Sequence, residues 1–207
     1  MKRINIKLKY YLALMLLPVF VALNTGSTLR AQDSMEEAKQ MLKQMKNGVL
    51  LVRLNRESNK LKALYEAGKA ERAKKLERNI YDEHREILLS FKKTFDFCPY
   101  YFFYGTASDS VRKGKFEGVL FDVERNPVET KAIPEHIFTG EFAETPNLNI
   151  DGFIIMNQNM VPLQAPFPFY QRQHGFLGFI SRSKAEVLED LNSKLKDYYQ
   201  SWWGDNE

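Results

Sequence analysis

Val49-Leu50-Leu51-Val52-Arg53-Leu54 is the part of this chain that leaves the fewest architectures open. An apolar run that scarcely alternates is typical of a strand buried on both faces, so its sheet must be covered on both sides. Residues 55–98 then carry a helical pattern, and a second buried strand follows from Pro99 to Gly105, rich in aromatic side chains. Two such strands joined through helices read as parallel neighbours linked by a crossover. With 44% hydrophobic residues and 207 residues in all, the chain can bury a sizeable core and is not mainly disordered.

Between the strands, Ser58 or Asn59 caps a helix with Leu61, Leu64 and Tyr65 inward and Gly68 at its end. A longer helix spans about Ala70 to Phe95, with the stripe Ala73, Leu76, Ile80, Ile87, Leu88 and Phe91. The Ala67-Gly68-Lys69 turn resembles that of helical-hairpin repeats, but no second copy occurs at a fixed period, which excludes a solenoid. After the second strand come a polar loop, Gly105 to Ser110, and one helical turn at Val111-Arg112-Lys113. Phe116 to Val123 reads as a third strand and Ile137 to Ala143 as another, with Gly140 a candidate bulge. A hairpin follows, with Gly152 to Met156 as first arm and Met160 to Leu163 as second, the latter an edge because of Pro162. Residues 164–180 form a long aromatic loop. Ser183 and Glu186 then make a capping box for a C-terminal helix striped by Val187, Leu188, Leu191, Leu195, Tyr198, Tyr199 and Trp202.

The expectation is one α/β domain over residues 49–207, with a mixed parallel and antiparallel sheet packed by helices. It is loosely thioredoxin-like or Rossmann-like as a sandwich, a likeness of architecture only. An amphipathic helix at 32–48 precedes it, capped by Ser34 with Glu37 and with Ala38, Met41, Leu42 and Met45 on one face.

Residues 1–31 read differently. Lys2, Arg3, Lys7 and Lys9 stand before an apolar run from Tyr10 to Leu23, followed by small and polar residues. This is the layout of an export signal, and the run is shorter than the roughly 20 residues a spanning helix needs. Cleavage after Ser27 and after Ala31 both fit, the second leaving Gln32 first. The whole chain has 30 bases, 26 acids and a net charge of +4. Removing 1–31 takes away five bases and no acid, which leaves 25 against 26 and a net charge of −1. The basicity that would have suggested a nucleic-acid partner therefore belongs to the leader. What persists is internal asymmetry: Lys39 to Lys93 holds 15 bases and 7 acids, net +8. Such a stretch is either a solvated lysine-rich face or a basic surface that docks on something anionic.

Three segments, NGVLLVRL (Asn47 to Leu54), ALYEAGKAERA (Ala63 to Ala73) and FDFCPYYFFYG (Phe95 to Gly105), carry a resemblance along the whole chain. It resembles a group of exported bacterial proteins of unassigned function. The resemblance implies export to the envelope of a Gram-negative cell, periplasmic or outer, and implies nothing catalytic.

No phosphate loop, dinucleotide fingerprint, His-Glu-x-x-His or Gly-x-Ser-x-Gly occurs. Nothing in the sequence implies a cofactor. In open α/β sheets, ligands bind beyond the carboxyl ends of the strands. Those ends offer Asn55 and Arg56 after the first strand, and Gly105, Thr106, Ser108 and Asp109 after the second. These six are the ligand-binding candidates: small residues admit a close backbone approach, hydroxyls and amides hydrogen-bond, and Arg56 suits an anion. The alternative is turn and cap chemistry alone. Cys98 lacks a nearby His or a second Cys and reads as a buried structural thiol. His84, His136 and His174 are scattered; His84, between Glu83 and Arg85, reads as solvated, and no metal site is expected. The segment Phe167 to Phe176 mixes aromatic rings with Gln, Arg and His, so Phe169, Tyr170, Arg172 and His174 are partner-binding candidates. The expected function is a non-catalytic binding or assembly module with an envelope partner. The alternative is a small-ligand, hydrolase-like enzyme with its site at the ends of the first two strands.

Overall fold

The computed structural model describes residues 32–144, 151–174 and 181–204. Residues 1–31, expected to be an export signal, and the part of the aromatic loop at 175–180, including Gly175 and Phe176, lie outside the described residues. The helices are α1 (32–47), α2 (Ser58–Glu66), α3 (Ala70–Thr94), α4 (Ser108–Arg112) and α5 (Lys184–Trp203). The strands are β1 (Val49–Leu54), β2 (Tyr100–Tyr104), β3 (Ile137–Glu144), β4 (Asp151–Asn157) and β5 (Tyr170–Arg172).

The strands form one sheet in the order β2-β1-β3-β4-β5. β1 pairs in parallel with β2 and β3, with Leu51 opposite Tyr101 and Thr139, while β3–β4 and β4–β5 are antiparallel. The fold is thus mixed α/β. Side chains of β1 alternate between two cores, as the period of a strand requires. Leu50, Val52 and Leu54 face α1, α3 and α5; Val49 and Leu51 face Val111 of α4 and Phe116 and Leu120. Phe91 of α3 is the hub of the first core. Its ring lies 5.1 Å from Tyr100, 5.2 Å from Phe95 and 5.6 Å from both Phe102 and Phe153. Edge and tilted contacts of this kind add to the simple burial of aromatic area. Because α1 contributes Leu42 and Met45 to the same core, it belongs to the domain and does not stand apart from it.

α5 packs against α3 and is fastened at its first residue and near its middle. Buried Asn192 accepts hydrogen bonds from the backbone N–H groups of Asp96 and Phe97 at 3.1 and 3.0 Å. Lys184, almost wholly buried, reaches Glu83 at 3.1 Å and lies over the Phe142 ring. The Ser183–Glu186 capping box is present at the start of α5.

Several expectations are corrected. Phe116 to Val123 is not a strand. Gly114 and Gly118 both turn at φ +66, and the chain wraps around β2, burying Leu120 on one face and Phe121 on the other. Only Phe121 pairs with β2, through two hydrogen bonds with Phe102 of 2.8 and 3.0 Å. Residues 160–163 make no full hairpin arm. Pro162 has no N–H to continue a ladder, so the outer edge of β4 passes to β5, inside the segment expected to be all loop. Ser34 does not cap α1, which already runs at residue 32. Gly140 sits in unbroken register opposite Ile155, with no bulge. Its hydrogen makes room for Phe153: a Cβ there would lie 2.5 Å from that ring.

Candidate functional site

The chain leaves β1 toward one neighbour, β2, and returns from β2 to the other, β3. The point where connections diverge therefore lies at the carboxyl ends of β1 and β3, where ligands of open α/β sheets bind. Arg53, the one charged residue in an otherwise apolar strand, spans that point. Its guanidinium pairs with Glu141 of β3 at 2.7 Å and donates through Nε to Ser108 Oγ at 3.1 Å. Ser108 in turn donates to the carbonyl of Gly105 at 2.6 Å. A Cβ on Gly105 would come within 3.3 Å of the guanidinium, so glycine lets Arg53 lie flat against the loop. The result is a continuous bridge across β3, β1 and the start of α4.

The other ligand-binding candidates lie elsewhere. Asn55 and Arg56 are exposed just past β1. The Asn55 carboxamide closes a turn on Glu57, accepting from its backbone N–H at 3.1 Å and donating to its carboxylate at 3.0 Å. Arg56 stacks over the Tyr104 ring at 4.7 Å, on the α3 side of the sheet and away from Arg53. Thr106 is exposed within a 3-10 turn, Gly105–Ala107, and Asp109 is exposed and paired with Arg112 at 2.7 Å. The sheet thus separates Arg56 from the Ser108 and Gly105 pair, and the six candidates do not converge on one point.

Sequence reasoning passed over two residues here and misplaced a third. Arg53 and Glu141 were readable as lone charges in buried strands. His84 was assigned to solvent and is buried. It extends the α3 stripe at the spacing Ile80, His84, Ile87 and Leu88, and that periodicity was the signal. His84 Nε2 is 2.6 Å from the Asn55 carbonyl oxygen, and its ring is 5.8 Å from Tyr104. Burial holds its pKa below the ordinary 6.5, against the hydrogen bond to Asn55 and the charge of Glu83, with Arg125 and Arg56 adding to the fall.

Among the partner-binding candidates, Phe169 packs half-buried against the core. Tyr170 is half-buried and donates to the Asp151 carbonyl at 3.1 Å, with burial raising its pKa. His174 Nε2 lies 3.3 Å from Asp151 Oδ2. Arg172 is exposed, while its carbonyl accepts from Arg182. Phe167, in the same segment, is buried. Cys98 is buried against α1 and β1, and desolvation pushes its thiol up to about 12. Among the described residues, no group of three or more His, Cys, Asp or Glu side chains is placed to hold a metal ion.

The helical hairpin of α2 and the first half of α3 has a different character. α2 buries no residue, and α3 buries only Ala73 before His84. Tyr65, expected inward, is exposed, and its hydroxyl donates to Glu77 at 3.0 Å. Tyr81 is also exposed and forms, with Lys74, Glu77, Arg78 and Asp82, a shallow recess of about 470 Å³.

These features define a layered mixed α/β domain whose strand-end polar groups are largely tied to one another. No protein-family model matches the chain, and neither a curated protein nor a solved structure shows significant similarity to it.

Proposed function

We propose that this chain is an exported, non-catalytic binding or assembly module of the bacterial envelope that docks on a protein partner through the α2–α3 hairpin. The observation that carries the reading is that hairpin: α2 and the first half of α3 bury only Ala73 before His84 and present Tyr65, Tyr81, Lys74 and Arg78 outward. Tyrosine and arginine are the side chains that interfaces use most as anchors. Export is supported by the leader-like composition of residues 1–31 and by the resemblance to exported bacterial proteins. Among the described residues, no helix is long and apolar enough to cross a membrane. Nucleic acid is not the expected partner, because the chain without its leader is at net −1. The aromatic segment at 167–174 is a weaker docking candidate than the hairpin, since Phe167, Phe169 and Tyr170 turn inward.

At the strand ends, Arg53, Glu141, Ser108 and Asp109 all have partners inside the domain, which weighs against the hydrolase-like alternative. The test is site-specific photo-crosslinking in the native envelope, with the reactive residue at position 81 or, as control, at position 172. The expected result is one stoichiometric adduct from position 81 that disappears on Arg78→Ala. Adducts of equal yield from both positions, or none from 81, would refute the hairpin as the docking surface.

A further inference from the structure

We infer that the recess at the opposite end of the sheet, beneath the amino ends of β1 and β3, is a binding site for a neutral saccharide, with an N-acetylhexosamine unit the best chemical fit. The recess holds about 320 Å³, at the lower end of the range for small-molecule sites. Three parts of the chain meet there: the last turn of α1, the entry to β3 at Glu135 and His136, and the turn after β4. Gly48 permits the meeting, because a Cβ at that position would lie 2.3 Å from the His136 carbonyl oxygen. That carbonyl accepts the Val49 N–H at 2.9 Å and so pins the β3 entry against β1.

The lining is unusual for its carboxamides. Gln44, Asn157, Gln158 and Asn159 all line the recess. Two of them are oriented by backbone partners, which also settles which end of each amide is which. Asn157 Oδ1 accepts the Val161 N–H at 3.1 Å, leaving its NH2 group over. Gln158 Nε2 donates to the Val111 carbonyl at 3.2 Å, which fastens the turn to α4 outside the recess. The turn that carries them is stapled to β3 by Thr139, whose hydroxyl donates to the Asn157 carbonyl at 2.8 Å. The Asn157 carboxamide is therefore oriented before any ligand arrives, which lowers the entropy cost of binding.

A sugar hydroxyl is both donor and acceptor, so a pair of vicinal hydroxyls matches a carboxamide, and an acetamido group matches it equally well. Met41 and Leu163 supply apolar surface for the C–H face of a pyranose or for an acetamido methyl. The recess also selects against anions. None of its lining residues is Lys or Arg, and Glu135 would repel a uronate or phosphate. This inference does not rest on the hairpin reading, and either can fail alone.

The experiment is calorimetric titration of the chain with three probes: the β-1,4 tetramer of N-acetylglucosamine, the β-1,4 tetramer of glucose, and tetragalacturonate. The N-acetylglucosamine tetramer should bind with a Kd of about 0.1–1 mM, the glucose tetramer no more tightly, and the uronate at least about 10-fold more weakly. Gln44→Ala with Asn159→Ala should weaken the neutral probes at least about 10-fold at unchanged melting temperature, since both side chains are exposed. Glu135→Gln, which keeps the shape of the side chain, should narrow the discrimination against the uronate. No binding of either neutral tetramer at about 10 mM would overturn the inference. So would equal binding by the double variant, or a preference for the uronate.

Discussion

His84 Nε2 lies 2.6 Å from the carbonyl oxygen of Asn55, so the middle of α3 is tied to the residue just past β1. A carbonyl oxygen only accepts, and therefore the imidazole carries its proton on Nε2. The bond anchors the α2–α3 hairpin where it leaves the body of the domain, and residues between this anchor and β1 are otherwise almost all exposed.

His84 should make the domain acid-sensitive. Its folded pKa is below 6.5, so between that lower value and 6.5 the unfolded chain binds more protons than the folded one. Stability is full above 6.5 and falls as pH drops through this window. Urea titrations across the pH range should show that loss in the wild type and a flatter profile in His84→Gln. Removing the ring altogether, in His84→Ala, should cost about 2 kcal/mol at neutral pH through lost packing and an unpaired Asn55 carbonyl. An unchanged acid slope in His84→Gln would show that other groups carry it.

Arg53 and Glu141 form a partly buried pair, with side-chain exposures of 30% and 18%. Arg53→Met alone should cost about 2 kcal/mol, because it strands Glu141 and frees Ser108 Oγ. Adding Glu141→Leu should recover much of that loss, since an apolar pair avoids the desolvation of both charges. Chemical denaturation of the single and double variants gives the coupling directly, and additive losses would mean the bridge is not a unit.

Gly140 is a packing glycine. Gly140→Ala should cost about 2–3 kcal/mol by pushing a methyl into Phe153, which is fully buried in the main core. Gly68→Ala tests the other use of glycine. There is open space around Gly68 but its φ is +68, so the cost should be nearer 1 kcal/mol. Denaturation midpoints that reverse this order would contradict the close approach at Phe153.

Cys98 should be inert in the native state. With its thiol pushed up to about 12, thiolate is negligible at pH 8, and the sulfur is buried. A disulfide reagent at pH 8 should label the folded chain at least about 100-fold more slowly than the urea-unfolded chain. Rapid native labelling would place the thiol at the surface.

The elements legible in the sequence were those whose signal is local. The unbroken apolar run of β1, the aromatic run of β2 and the 3.6-residue stripes of α3 and α5 each state a periodicity that a short segment can satisfy alone. Ser183 and Glu186 state a cap in the same local way. Phe116 to Val123 misled because apolar density without regard to Gly114 and Gly118 reads as a strand. His84 misled because its charged neighbours masked its place on the apolar stripe. The Arg53–Glu141–Ser108 bridge was out of reach, since it joins residues 53, 108 and 141 that meet only when β1 pairs with β3.

The amino-acid sequence by itself thus determined a mixed α/β domain, the helices that cover it and the doubly buried strand β1. Only the tertiary structure decided the order β2-β1-β3-β4-β5, the handover of the β4 edge to β5, and which polar groups meet at each end of the sheet. The reason is physical. Helix and strand periods are set by each chain segment's own geometry, whereas strand partners are chosen by which edge still has free N–H and C=O groups. Edge availability is a property of the assembled sheet, so the bridge at one end and the carboxamide recess at the other exist only once it has formed.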